Sequence, residues 1–218
     1  MPPVTMIDGM SRRRVYSPPA LPIPTGDGTG CIMIGRTICF SDISARGEWT
    51  ALSRGKLGCL DVIIKIFGSR RLGGPSGQLK DEILATKWLA EMNCPHVARY
   101  VTAVDGHYPS YTEHYLVMME VPGRPLHDLS ENELTQNDSR IMRALTQAYN
   151  SIRNSGLIYG KMHLESIFYD EVRGECYGVD PDHWTACETL HYDCSTWSLG
   201  NRVFLRWTSQ AAVAQERG

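Results

Sequence analysis

The chain is predicted to be an α+β protein, an antiparallel sheet followed by a helical part, and three observations carry that expectation. Residues 31–68 hold short β-rich runs separated by turn residues. Two stretches with helical periodicity follow, at about residues 78–92 and 137–155, and the segment Gly156–Trp184 carries two short strands around a polar turn. With 218 residues, 42% of them apolar, the chain can bury one ordinary core or two small ones.

Residues 1–30 are rich in Pro and Gly, carry Arg12, Arg13 and Arg14, and have no apolar period that could bury a face, so they are predicted to be a disordered tail. Within them the run from Arg14 to Pro22 has the composition of a polyproline ligand for an SH3-type groove, and Ser17-Pro18 that of a phosphorylation site; a plain linker accounts for the same residues. The β-rich runs are Cys31–Ile34, Thr37–Phe40, Trp49–Leu52 and Leu60–Phe67, with turns expected at Gly35, Ser41-Asp42, Gly47 and Gly55–Gly58. Lys65 sits in the last run among Ile and Phe. An ammonium there is costly to bury unless it meets an anion.

The first helix, Gln78–Met92, places Leu79, Ile83, Leu84, Trp88, Leu89 and Met92 on one face at three- and four-residue spacing, with Glu82 beside that face as the natural partner for Lys65. Pro95 ends it. Ala98–Val104 and His114–Glu120 read as two further strands, the second leading into Val121-Pro122-Gly123. The second helix, Asn137–Ser155, has Asp138 as its expected cap and Ile141, Leu145, Ala148, Tyr149 and Ile152 as its apolar stripe.

A net charge of −2 and a pI near 6.4 supply no basic field for nucleic acid and no polybasic membrane patch. No apolar run approaches the roughly 18 residues that span a bilayer, and the first residues lack the apolar core of a secretion signal. Seven scattered cysteines without a CxxC pair predict reduced thiols and a cytoplasmic setting. His183, Cys187, His191 and Cys194 offer zinc-competent donors, but without a paired knuckle they read better as loop residues and a buried thiol.

The segment Tyr159-Gly160-Lys161-Met162-His163-Leu164-Glu165-Ser166, followed by a hairpin and Asp180-Pro181-Asp182, resembles the catalytic loop, hairpin and D-F-G of protein kinases and aminoglycoside phosphotransferases. The resemblance implies a bilobal protein-kinase-like fold, with a tail at 1–30, an antiparallel-sheet N-lobe at 31–121 and a truncated helical C-lobe at 122–210. It implies that Lys65 pairs with Glu82, that the backbone of Glu120 and Val121 meets adenine, and that Asp180 holds Mg²⁺ for ATP. The run Val121 to Leu129 is similar to the hinge of small bacterial effector kinases of the OspG type. Ser195-Thr-Trp-Ser-Leu-Gly200 resembles the start of the next kinase helix, with Ser195 in place of its Asp.

Departures from the pattern decide the functional expectation. Lys161 stands where the base Asp belongs, and Ser166 where the metal-binding Asn belongs. Ile43–Leu52 contains only Gly47 where a glycine-rich phosphate loop is expected, so that Ser44, Arg46 and Trp49 would crowd a phosphate, although Arg46 could contact one. Lys161 as a base would need its pKa lowered from about 10.4 to near 7, a cost of roughly 4–5 kcal/mol. The expectation is a pseudokinase that binds a protein partner, with ATP and Mg²⁺ bound weakly or not at all. The alternative is an atypical active Ser/Thr kinase or small-molecule phosphotransferase using Lys65, Glu82 and Asp180, with Glu165 or His163 assisting. Apolar surface at Trp197, Leu199, Phe204 and Trp207 is expected to be covered by a partner or by self-association.

Overall fold

Alternating β-branched and apolar residues draw most of residues 31–119 into one antiparallel sheet in the computed structural model, which describes residues 4–5, 15–16, 22–25, 30–40, 48–69, 77–108, 111–159, 164–179 and 184–186. After a separate two-residue pair, β1 (Val4–Thr5) with β2 (Val15–Tyr16), come β3 (Ile23–Pro24), β4 (Cys31–Phe40), β5 (Glu48–Leu57) and β6 (Leu60–Ser69). β7 (Tyr100–Tyr108) and β8 (Tyr111–Met119) complete the sheet, whose order is β3-β4-β5-β6-β8-β7. Ile23, in the stretch expected to be a tail, is buried in the sheet's core.

Two expected breaks are absent. Cys31–Phe40 is one strand, its register shifting between Ile34 and Thr37, rather than two. Gly55 lies inside β5, because a Cβ there would strike the Met33 carbonyl of the neighbouring strand; the turn is confined to Gly58-Cys59, where Gly58 has a φ of +58°.

β6 is the central strand and is buried on both faces. Val62, Ile64 and Ile66 join Ile32, Ala51, Tyr115 and Val117 in a cluster built from strand residues alone. On the other face Ile63 packs with Leu52, Leu116, Met118 and Phe168, and Lys65 meets α1 (Gly77–Glu91).

The expected apolar face of α1 is corrected by the structure. Leu79, Ala85 and Leu89 are buried, but so are Glu82 and Thr86, while Leu84, Trp88 and Met92 are 63%, 47% and 49% exposed. Pairing Glu82 with Lys65 rotates the helix about its axis, and the rotation carries these three large side chains outward. The Trp88 indole N–H donates to the Ser155 carbonyl at 2.7 Å.

Beyond the sheet, β9 (Arg124–Pro125), a 3-10 turn at Leu126–Asp128 and α2 (Glu131–Gln136) lead into α3 (Asp138–Asn154). Ser130 and Glu133 form a reciprocal capping box on α2. Ile141, Ala144, Leu145, Ala148 and Ile152 are the buried stripe of α3, with Tyr149 only partly buried. Asp138 does not cap this helix. The N-cap is Asn137, whose side-chain amide donates to the Glu133 carbonyl of α2, and Asp138 sits in the first turn.

β10 (Leu157–Tyr159) pairs with β13 (Trp184–Ala186), and β11 (Ile167–Asp170) pairs with both β9 and β12 (Glu175–Gly178). Among the described residues no helix is long and apolar enough to cross a membrane.

Two measurements check this account. Gly123 has a φ of +91° and its backbone lies against the Tyr169 carbonyl, whereas Gly58 faces open space. Gly58→Ala is therefore expected to cost about 1 kcal/mol and Gly123→Ala about 3 kcal/mol or more in urea unfolding. The Glu133 carboxyl is held down at about 2, first by the Arg124 side chain and then by the Ser130 backbone and hydroxyl. Because its folded value is below the ordinary 4.5, its stabilisation is present above that pH and is lost as pH falls towards 2. Glu133→Gln should flatten the acid-induced fall in melting temperature across that window.

Candidate functional site

Period-two alternation along β6 sends Lys65 to the same face as Ile63 and Phe67, while the register sets it between Leu52 of β5 and Leu116 of β8. Its side chain is 2% exposed, and Nζ donates to Glu82 Oε2 at 2.8 Å; the Glu82 side chain is also 2% exposed. The ammonium lies 4.9 Å from the centre of the Phe67 ring. Thr86 Oγ1 donates to the Glu82 carbonyl at 2.7 Å, one turn along the same helix. A helix contributes a carboxylate here because nothing weaker offsets the desolvation of a fully buried ammonium.

The connection after β8 leaves the sheet at the start of β6, four residues before Lys65. Val121 is buried, and the Glu120 N–H donates to the Asp61 carbonyl at 3.1 Å. Pro122 has no N–H to offer. Arg54 reaches the connection from β5: Nε is 3.3 Å from Glu120 Oε1, and Nη2 donates to the Gly123 carbonyl at 3.2 Å. Its guanidinium carbon also lies 5.8 Å from the centre of the Phe168 ring. Arg54 was not singled out in the sequence. Its signal was the pairing of Arg54 with Ile63, which puts it on the Lys65 face and becomes readable only once the register is known.

Phe168 belongs to β11 and is fully buried with Leu52, Ile63, Met118, Val121 and Val179. Gly178 bridges to Val97, and the Val179 N–H donates to the Ser166 carbonyl at 2.9 Å, so the hairpin is fixed both to the turn after α1 and to the Leu164–Ser166 turn. Ser166 is buried and Glu165 half-buried. Tyr159 pairs with Trp184. The flanks of residues 160–163 and of residues 180–183 are thus held beside each other at both ends. Lys161, His163, Asp180, Pro181, Asp182 and His183 lie outside the described residues, as do Ile43, Ser44, Arg46, Cys187, His191, Cys194 and the segment from Ser195 to Trp207.

Trp49 needs correction as an obstacle to phosphate. It is a buried β5 residue lying over Gly68, its ring 5.8 Å from that of Tyr111, because the missing Cβ at Gly68 leaves room for an indole.

The resemblance implies a nucleotide between the sheet, the connection and the hairpin. The described residues there do not fit a base as they stand. Ile63 and Phe168 are 0% exposed and Leu52 1% exposed, so these three side chains offer no free surface for stacking, and Arg54 already engages the connection.

No family model matches the chain, and a search of curated proteins finds no relative. Among solved structures, the chain is similar to the kinase PK-1 of Cydia pomonella granulovirus at a TM-score of 0.48 and 17% identity, over 74% of this chain and 55% of that one. The chain therefore spans about half the length of that protein.

The buried pair makes its own prediction. Lys65→Met leaves the Glu82 carboxylate without the Lys65 ammonium and should cost about 3–5 kcal/mol in urea unfolding, whereas Lys65→Met with Glu82→Leu should recover much of that loss.

Proposed function

We propose that the chain is a kinase-like binding module, a pseudokinase that serves as a scaffold for a protein partner in the cytoplasm and binds nucleotide weakly or not at all. The observation that carries this reading is the apolar closure beneath the connection. Ile63, Phe168, Leu52 and Met118 are packed together at 0–1% exposure where a base would have to enter. Support for the kinase-like frame comes from the order of parts: a strand Lys bonded to a helix Glu, a strand leaving the sheet through Glu120 and Val121, a helix, and a hairpin between Tyr159 and Trp184, which pair with each other.

The chemistry agrees with a scaffold. Phosphoryl transfer needs a carboxylate to accept the substrate hydroxyl proton and a second metal ligand. At those places in the proposed frame stand Lys161, a cation at neutral pH, and Ser166. The second reading, an atypical active kinase or phosphotransferase, is favoured by one observation. Lys65 and Glu82 are bonded at 2.8 Å, the arrangement a phosphate-gripping Lys requires.

Incubation with Mg²⁺ and γ-labelled ATP separates the two. The scaffold reading expects no transfer to protein or small-molecule acceptors; transfer that disappears in both Lys65→Ala and Asp180→Ala would overturn it.

A further inference from the structure

Leu84, Trp88 and Leu157 line a groove of about 460 Å³ between α1 and β10, together with Asp81, Lys87 and Glu91. Leu84 and Trp88 are exposed side chains that the Lys65–Glu82 pair turns outward. Clustered apolar surface of this kind marks a contact. Where the chain goes next indicates which one. β13 packs beside α1, and its last residue, Ala186, pairs with Leu157. The chain therefore leaves the described residues at the edge of the groove, and residues 187–218 follow.

Within that stretch, residues 195–207 match the groove in shape and charge. Wound as a helix, Trp197, Leu199, Val203, Phe204 and Trp207 would share one arc of about 160°, with Arg202 and Arg206 along one border and only Leu205 among the large apolar residues outside it. Such a helix is about 20 Å long, against about 15 Å along α1 from Asp81 to Glu91. Residues 187–194 can span about 27 Å when extended, more than the whole of α1. An apolar cavity of roughly 150 Å³ takes one benzene-sized ring, so the groove has room for about three. Asp81 and Glu91 outnumber Lys87, whose Nζ lies 5.0 Å from the centre of the Tyr100 ring, so the lining is net acidic. We propose that residues 195–207 of this chain occupy the groove as an amphipathic helix, with aromatic side chains against Leu84, Trp88 and Leu157 and arginines towards Asp81 and Glu91. The contact goes beyond the scaffold reading and does not rest on it: the chain covers this face itself, and a partner binds elsewhere or displaces the segment.

Hydrogen exchange of the full chain, followed by mass spectrometry, tests the contact. In wild type the amides of residues 196–207 should exchange at least about tenfold more slowly than in an unfolded chain. Leu84→Lys removes an exposed apolar side chain and sets a like charge against the arginines; it should lower that protection about tenfold, and Phe204→Lys should do the same from the other side. Asp81→Lys with Glu91→Lys should also lower it, and adding Arg202→Glu with Arg206→Glu should restore it. Exchange of wild-type residues 196–207 at the unfolded rate would overturn the proposal. So would protection that persists in both Leu84→Lys and Phe204→Lys, the result expected of a helix buried elsewhere. Protection that falls on dilution, with a dimer in sedimentation, assigns the groove to a second copy and overturns docking within one chain. Should Leu84→Lys lose the wild-type circular dichroism, Phe204→Lys and the charge reversal decide alone.

Discussion

Lys65 enters the interior on a strand whose two faces are both buried, so its ammonium must meet a carboxylate there or destabilise the sheet around it. The position of α1 follows from that constraint. Glu82 has to face β6, Thr86 comes inward on the next turn, and the helix turns Leu84 and Trp88 to solvent while Leu79 and Leu89 stay buried. A helix packed by hydrophobicity alone would bury Leu84 and Trp88 instead. The polar pair therefore decides which side of α1 is inside, and with it which surface the protein presents.

The same sheet face carries the junction with the rest of the chain. Leu52, Ile63 and Met118 from three strands meet Phe168 and Val179 from the hairpin, and Arg54 ties the outer end of β5 to the connection. Sheet and hairpin are thus joined by an apolar contact at the centre and by charge at the rim. This division suits water-facing and water-excluded positions respectively, since an exposed ion pair adds little stability and contributes mainly orientation.

Much of this architecture was legible in the residues. Period-two runs gave the strands, three- and four-residue spacing gave α1 and α3, and a lone Lys in an apolar strand implied a carboxylate partner that Glu82 supplies. What escaped depends on contacts between distant segments. Gly55 was read as a turn because its role, letting β4 pass close by, exists only once two strands are paired. Asp138 was read as a cap because α2, running directly into α3, gives no local sign of where one helix ends. Arg54 and Phe168 were passed over because neither has an unusual neighbour in sequence, and their meeting requires β5 and β11 to be brought together by the fold. The expected site residues Lys161 and Asp180 lie outside the described residues, so the chemistry of their loops rests on sequence.

The hydrogen bond from Trp88 to the Ser155 carbonyl makes α1 more than a carrier for Glu82. The helix is pinned on its inner side to β6 and on its outer side to the end of α3, at positions about 9 Å apart along its axis. Six residues at about 100° each put the two contacts about 120° apart around the axis, so the helix cannot roll without breaking one of them. The end of α3 is thus tied to the helix that carries Glu82, in addition to the apolar contact of Phe168 and Val179 with the sheet.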